Sequence, residues 1–372
     1  MRGIGYMEKN DIYMIQGKDY KQMAIKVLCA SGLSGDIGDK TKRIGIKPNI
    51  LGAKKAQDGA VTHPELVDAV ITYLKDEGFI NLVVLEGSWV GDITSKAVKT
   101  CGIYDVCKKH NVPFVDLQKD KSKTLDAAGM KIAVCEQALA LDYLINIPVL
   151  KGHCQTTVTC ALKNSKGLIP NSEKRRFHTL GLHKPIAHLN TVIHQDYILV
   201  DNICGDLDFE DGGNPVVMDR VLAFKDPVLC DSFAAESIGY NPQDIEYIRL
   251  ANRLGIGSMD VAGAHYIALN EGMPAIKKLD STRRVSKLAE YANPADACSA
   301  CYGSLIYALG RLEEKHGLGN IEKASVCIGQ GYKGKSGEVG IGSCTSCFKK
   351  SLAGCPPKAV DIVRFLEKEY IY

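Results

Sequence analysis

The alternation of strand-like and helix-like segments over the first ~150 residues most constrains the fold of this chain. Arg43–Ile50 (RIGIKPNI) and Asn81–Glu86 (NLVVLE) are short, largely apolar runs, as buried parallel strands are. Between them, His63–Glu77 places apolar residues at helical spacing, directly after Thr62, which can cap a helix. The sequence therefore predicts an α/β fold with a mostly parallel or mixed sheet flanked by helices.

Further along the chain the same pattern continues. The predicted elements are a helix over Thr94–His110, strands over Val112–Leu117, Asp142–Leu150 and Tyr197–Ile203, and a helical region over Asp226–Leu254 that breaks near Pro242. Ligands of such folds bind at the carboxyl ends of the strands. We therefore expect the rim of the site at Lys47–Asn49, Glu86–Ser88 and Lys151–His153.

Charge and hydropathy exclude several classes of protein. The net charge of +3 over 372 residues is too small to indicate general nucleic-acid binding. No run approaches the ~20 apolar residues that span a bilayer, and residues 1–20 have no signal-peptide pattern. We expect a cytoplasmic protein that binds neither nucleic acid nor membrane.

Five of the 14 cysteines lie close together near the C-terminus. Cys298 and Cys301 form one C-x-x-C pair, Cys344 and Cys347 form another, and Cys355 precedes two prolines. Paired thiolates at this spacing can reach one metal centre, and Cys-Pro also ends bacterial ferredoxin motifs, although the even ferredoxin spacing is absent. A [4Fe–4S] cluster on four of the five is the preferred interpretation. A structural Zn²⁺ and unligated or redox-active thiols are the alternatives.

The C-terminal region also differs in its glycine-rich loops. We therefore predict two domains, an α/β domain over residues 1–290 and an iron–sulfur-binding lobe over residues 291–372. Heavy use of cysteine fits an anaerobic cell.

The segment Lys151–His194 has the strongest local charge, with seven Lys or Arg, five His and a single acid, Glu173. Lys163 and Lys166 are three residues apart, so on a helical turn they can bind one carboxylate or phosphate together. The histidine spacings of five or six argue against an H-x-x-x-H zinc site. Residues 174–176 (KRR) are expected to be solvated.

An acidic stretch follows at Asp206, Asp208 and Glu210. It can bind Mg²⁺, pair with the basic segment or remain solvated, and we favour the solvated state. A calcium-binding loop is not predicted, because its twelfth position is Val217 rather than glutamate. Asp231 is a second carboxylate that we expect near the site.

Three long segments resemble one known family, the domain-of-unknown-function family 362. They are Ile46–Ser88, with IKPNI, Thr62–His63 and VVLEGS; Asn146–His178, which is similar to the family's core motif; and Val200–Ala234. Members of this family often carry iron–sulfur motifs. The resemblance to a subgroup with C-x-x-C, G-x-C and G-C-P-P implies the ligands Cys298, Cys301, Cys344 and Cys355, with Cys347 as the alternate thiol.

The same resemblance supports the predicted substrate site. The anion-binding set, including the rim positions, is Lys47, Asn49, Lys151, Lys163, Asn164 and Lys166. The predicted catalytic residues are Lys163 together with His153 and His178 as proton donors or metal ligands.

The sequence thus predicts an iron–sulfur protein, preferably a reductase acting on a small anionic organic substrate bound by residues 151–178. The first alternative is an electron-transfer or accessory protein that docks to a redox partner. The second is a non-redox isomerase or lyase with a structural cluster. No G-x-G-x-x-G or P-loop motif supports a nucleotide, and a flavin has no sequence support. A homodimer is left open.

Overall fold

The computed structural model describes residues 6–210, 212–270 and 283–372, and the chain divides into two compact units. The first comprises Met1–Phe177 and His183–Ser281, and the second comprises His178–Leu182 and Thr282–Tyr372. The sequence predicted a boundary near residue 290, whereas the second unit begins at Thr282 and adds a short segment from the basic region.

The first unit is built on one large sheet. Its strands, with those of two small hairpins, are β1 Asp11–Gln16, β2 Ile44–Pro48, β3 Leu82–Glu86, β4 Phe114–Asp116, β5 Ser122–Ala127, β6 Met130–Cys135, β7 Tyr143–Ile147, β8 Lys151–His153, β9 Thr157–Thr159, β10 Tyr197–Asp206, β11 Pro215–Phe224 and β12 His265–Ala268. The helices are α1 Tyr20–Ala30, α2 Leu33–Ile37, α3 Pro64–Asp76, α4 Thr94–Thr100, α5 Ile103–Lys109, α6 Glu136–Leu139, α7 Ala161–Asn164, α8 Asn171–Leu180, α9 His183–Leu189, α10 Pro227–Ser237 and α11 Glu246–Arg253.

The large sheet has the order β12-β1-β11-β10-β7-β2-β3-β4. Every neighbouring pair is parallel except the two pairs made by β11, which is antiparallel to β1 and β10. The predicted α/β class with a mixed sheet flanked by helices is confirmed. Because β10, β7, β2 and β3 run in one direction, the residues that follow them meet at one edge of the sheet.

Helix α3 illustrates how the pattern produces the element. Its apolar positions, including Leu66, Val70 and Leu74, are fully buried, and Pro64 occupies its first turn, where no backbone donor is lost. The helix predicted over Thr94–His110 is instead two helices, because Gly102 adopts a positive φ of 81° between them.

A chain of buried amides holds the segment around α7 in place. Asn164 Nδ2 donates to Asn146 Oδ1 (2.7 Å), and Asn146 Nδ2 donates to Gln195 Oε1 (2.6 Å). Gln195 Nε2 donates to Asn190 Oδ1 (2.7 Å), and Asn190 Nδ2 donates to Ser165 Oγ (3.1 Å). Since each amide supplies both a donor and an acceptor, such a chain satisfies polar groups far from water.

The second unit contains a four-stranded parallel sheet. Its elements are α12 Arg284–Ala289, β13 Ala292–Pro294, α13 Ser299–His316, β14 Val326–Ile328, β15 Val339–Ile341, β16 Lys350–Leu352 and α14 Ala359–Tyr370. The strands pair in sequence order, so their last residues, Pro294, Ile328, Ile341 and Leu352, lie in one row. Across both units, none of the helices in the described residues is long and apolar enough to cross a membrane.

Candidate functional site

The end of β2 carries a buried ion pair. Lys47 Nζ lies 2.7 Å from Glu86 Oε2 at the end of β3, and both side chains are almost fully buried. Burial lowers the pKa of Lys47, while Glu86 opposes that shift. Gly167 packs so closely here that a β-carbon would collide with the Glu86 carboxylate. The Lys47 charge is therefore already paired, which disfavours its predicted role in anion binding.

The side chain of Lys174 also reaches this edge of the sheet. Its Nζ donates to the carbonyls of Gly87 (2.7 Å) and Ser88 (2.9 Å), and the side chain is buried. Burial lowers the pKa of Lys174 to about 8. The prediction that residue 174 is solvated is wrong, because α8 turns this residue inward while Arg175 on the same helix stays exposed.

Two other predicted residues lie at the rim. Lys151, which begins β8, is fully buried, and its Nζ donates to the Ala60 carbonyl (2.6 Å). Asn49 follows β2, and its Oδ1 is buried without a hydrogen-bond partner in the described part of the chain. That oxygen can accept a hydrogen bond from a bound molecule or water.

Lys163, His153 and Glu210 form the centre of the candidate site. Lys163 Nζ lies 2.9 Å from Glu210 Oε1 and donates to Thr159 Oγ1 (3.1 Å). His153 Nε2 lies 3.0 Å from Glu210 Oε2. The expectation that the acidic stretch is solvated is wrong for Glu210, since two buried bases bind its carboxylate. Asp206 is also buried, where it accepts backbone hydrogen bonds from Asp208, Phe209 and Asn214.

The tautomer of His153 follows from its hydrogen bonds. Nδ1 faces the backbone N–H groups of Gln155 (3.0 Å) and Thr156 (3.1 Å), so it must accept from both. The proton therefore resides on Nε2 and is donated to Glu210. Burial and Lys163 lower the pKa of His153 to about 4, which keeps the ring neutral. A neutral imidazole is a good hydrogen-bond donor and a poor proton donor, so this geometry favours a binding role over the predicted catalytic one.

Lys166 contributes to the same electrostatic group. Burial and the neighbouring Lys163 charge lower the pKa of Lys166 to about 7, and Lys166 in turn disfavours protonation of His153. Burial disfavours the charge on Glu210, but Lys163 and His153 outweigh it and hold its pKa well below the usual range. A lysine that titrates near neutral pH beside a fixed carboxylate can supply a proton.

The Glu210 carboxylate marks the place of an anion. Lys163 and His153 bind its two oxygens from two sides, while about 27% of the Glu210 side chain remains exposed. A small carboxylate that displaces Glu210 would meet the same two donors. Glu210 was missed as a site residue because its partner Lys163 lies 47 positions away, and the only signal was the alternation of acids after β10.

The remaining candidates of this region have other described roles or belong to the other unit. Asn164 belongs to the amide chain. His178, near the end of α8, falls in the second unit. Asp231 is buried and accepts from the Leu162 backbone N–H (3.2 Å). It is therefore not among the described contacts of the Lys163 group.

The C-terminal cysteines follow the ends of the parallel strands of the second unit. Cys298 follows β13, Cys344 follows β15 and Cys355 follows β16, while Cys301 lies in the first turn of α13. Parallel strands with aligned ends bring the residues after them to one edge. Gln330, after β14, donates its Nε2 to Cys298 Sγ (3.3 Å). Gln330 was not predicted as a site residue, although it follows a strand end just as the cysteines do.

Three neighbouring thiols affect the pKa of Cys301. Burial raises this pKa to about 12, and Cys298, Cys355 and Cys344 also raise it. Cys347 is exposed and is not among the groups that act on Cys301.

One close set of potential metal ligands lies in the first unit. Among the described residues, ligand atoms of Cys160, Cys230 and Asp231 all lie within 4.8 Å of one another, and all three residues are buried.

Comparison with known proteins gives a family, one distant relative and two partly similar solved structures. The family model described as "Domain of unknown function (DUF362)" matches residues 44–236, just over half of the chain. A thylakoid-associated protein of Synechocystis sp. is 27% identical over 150 residues, which cover 39% of this chain and 45% of that protein. The match thus spans less than half of the length of that relative.

Two solved structures are similar in part. The lactate racemase apoprotein of Thermoanaerobacterium thermosaccharolyticum has a TM-score of 0.39 at 12% identity, covering 58% of this chain and 54% of that one. A Thermotoga maritima protein has a TM-score of 0.37 at 14% identity, covering 64% and 60%. At these TM-scores neither likeness bears on function.

Proposed function

The chain belongs to the DUF362 family, and from that premise we propose that it is an iron–sulfur reductase acting on a small carboxylate. Lys163 and His153 bind the carboxylate, Lys166 supplies a proton, and the C-terminal cysteines hold a [4Fe–4S] cluster. The observation that carries the proposal is the Glu210 carboxylate, bound between Lys163 and His153.

The cluster assignment rests on the donor set. Cys298, Cys301, Cys344 and Cys355 are four soft ligands, of which the other three act electrostatically on Cys301, and Gln330 donates a hydrogen bond to the Cys298 sulfur. Thiolates of this number are the usual ligands of such clusters, and hydrogen bonds to sulfur tune the potential. When bound, the cluster would supply electrons one at a time, so reduction of one substrate takes two electrons in succession from an external donor and two protons, one of them from Lys166. We place Cys347 outside the ligand set.

The substrate assignment rests on what Lys163, His153 and Lys166 do. The substrate carboxylate displaces Glu210 and accepts hydrogen bonds from Lys163 Nζ and His153 Nε2. Lys166 is partly protonated near neutral pH because its pKa is lowered to about 7. Since the proton-donating form is lost above that pKa, turnover should fall as pH rises through about 7.

Metal and sulfide analysis of protein purified without oxygen tests the cluster. We expect about four irons and four sulfides per chain, a large loss in Cys355→Ser and no loss in the matched control Cys347→Ser. One zinc per chain without iron, or equal losses in the two variants, would overturn the assignment.

Reoxidation of the dithionite-reduced protein tests the substrate. Pyruvate and fumarate serve as carboxylate probes, with chloride as the control anion. We expect at least one carboxylate to reoxidise the protein, and Lys163→Met to slow this about tenfold or more. Lys123, an exposed lysine of β5, provides the control Lys123→Met. Equal rates in both variants, or no reoxidation by either probe, would contradict the proposed substrate site.

A second candidate is an electron-transfer protein that docks to a redox partner. The solvent exposure of the proposed cluster ligands favours this function. Cys355 is exposed, and the other three proposed ligands are partly exposed. A stable, stoichiometric redox protein recovered with the chain, and no reoxidation by carboxylates, would favour this function over the reductase.

A further inference from the structure

A second group of reactive side chains lies in the first unit, at the start of α3 and along β10. His63 precedes α3, and its Nδ1 lies 2.9 Å from Asp201 Oδ2 on β10. His63 Nε2 faces Cys204 Sγ at 4.0 Å. All three residues are buried.

An irregularity in β10 brings Asp201 and Cys204 to the same imidazole. In a regular strand, residues three apart face opposite sides of the sheet. The pairing of β10 with β11 shifts register between Asn202 and Cys204, as it does at a β-bulge. Such a shift redirects a side chain and is often found next to active sites. The bulge therefore allows Asp201 and Cys204 to reach one His63 ring.

The surroundings hold this group in one arrangement. Asp201 Oδ2 also accepts the His63 backbone N–H (2.7 Å), and Asp201 Oδ1 accepts the Ile203 N–H (3.2 Å). The Tyr20 ring lies edge-on to His63 at 5.6 Å between centroids. The Cys204 sulfur also contacts the Ala56 carbonyl oxygen (3.4 Å). His63 thus has one nitrogen fixed by a carboxylate and the other directed at a thiol.

We propose that Cys204, His63 and Asp201 form a nucleophilic site that accepts an acyl group from a small ester or thioester. A thiol beside a base that a third group orients is the arrangement found in nucleophilic catalysis. The low exposure of Cys204, 5%, restricts the acyl donor to a small molecule. This site is independent of the cluster and of the Lys163 group.

The step balances without an oxidant. The Cys204 proton moves to His63 Nε2, and the sulfur attacks the carbonyl carbon to form a C–S bond. The bond to the leaving thiol or alcohol breaks, and the leaving group takes its electron pair and the proton from His63. The product is an acylated Cys204, and Asp201 stabilises the imidazolium that forms in between.

The electrostatics favour transfer of the Cys204 proton to His63. Burial disfavours its charge, but Asp201 and Cys204 outweigh that effect and raise the pKa of His63 to about 10. Among the described residues, Tyr20 from α1 also faces this site, and its Oη donates to Asp219 Oδ1 on β11 (2.8 Å).

Alkylation of the whole protein by iodoacetamide, resolved for each cysteine by peptide mass spectrometry, tests the nucleophile. We expect Cys204, which is 5% exposed, to react about tenfold or more faster than Cys160 (0%) and Cys230 (1%), whose sulfurs face each other at 3.6 Å. Equal rates at the three cysteines would overturn the proposal.

Acetylation by p-nitrophenyl acetate tests the acyl class. We expect an acetyl group on the peptide that contains Cys204, and none there in Cys204→Ser or His63→Gln. If His63→Gln does not fold, as judged by its thermal unfolding, Asp201→Asn replaces it and should slow acetylation about tenfold or more. Fast alkylation without acetylation would overturn the acyl assignment. Cys355→Ser and Lys163→Met leave this site intact. A negative result for the acyl-accepting site is therefore distinguishable from a negative result for the proposed reductase.

Discussion

At the scale of single residues, the buried lysines of the first unit determine much of the chemistry. A buried ammonium must lose its proton or find a partner. Lys47 and Lys163 have carboxylate partners, whereas Lys151 and Lys174 donate to backbone carbonyls. Only the Lys163 pair includes a partly exposed partner, Glu210, so it is the pair that a ligand can exchange.

Glu210→Gln should destabilise the protein by about 1 to 3 kcal/mol, because Lys163 then loses its charged partner. The low pKa of Glu210 means that its contribution is complete above pH ~5 and is lost as pH falls through the folded-state pKa. Urea unfolding at several pH values measures this contribution to the free energy of unfolding. The double variant Lys163→Met/Glu210→Gln should be less destabilised than the sum of the two single variants, and strict additivity would contradict the pairing.

Lys47→Met should lower the free energy of unfolding by about 3 to 5 kcal/mol, more than Glu210→Gln does. It leaves the buried Glu86 carboxylate with its backbone donors but without its ammonium partner. The loss is measured as the change in unfolding free energy in urea. The exposed Lys123→Met should change the same quantity by less than about 0.5 kcal/mol. Equal effects of the two substitutions would show that the Lys47–Glu86 pair contributes nothing.

At the scale of elements, the amide chain is what fixes α7 and thereby places Lys163. Gln195→Ala should destabilise the protein by about 1 to 3 kcal/mol, since Asn146 Nδ2 loses its buried acceptor Gln195 Oε1 and Asn190 Oδ1 loses its buried donor Gln195 Nε2. Hydrogen exchange should rise mainly in residues 161–165. The exposed Gln57→Ala is the control, and the expectation fails if both variants exchange alike.

The ends of strands are the second element-scale feature. In both sheets, residues of the proposed sites follow parallel strands, with His153 after β7, Glu210 after β10 and Cys355 after β16. This placement follows from topology, because strands that run in one direction present all their carboxyl ends at one edge. Sequence patterns could locate this edge in the first unit before the structure was available.

At the scale of the whole molecule, the two units should respond differently to loss of the cluster. Oxidation and chelation should raise hydrogen exchange in β13–β16, because metal binding stabilises the fold that presents its ligands. Protection of β2, β3, β7 and β10 should remain, since their residues supply no proposed ligand. Unchanged exchange in β13–β16 would contradict a cluster held by the second unit.

The sequence by itself determined the α/β class, the strands β2, β3 and β7, and the helix α3. It did so because a buried face requires apolar residues at a regular spacing, and that spacing is visible in the sequence. It also located the basic segment and the C-terminal cysteines, whose spacing is local.

Only the tertiary structure decided which charges meet. The pairing of Lys163 with Glu210 joins residues 47 positions apart, and the contact of His63 with Asp201 joins residues 138 positions apart. Asp201 and Cys204 reach the same imidazole because the pairing of β10 with β11 shifts register between them. Their spacing of three residues in the sequence does not reveal that shift. Electrostatic partners are set by which strand ends and loops converge in space, and no local period records that convergence.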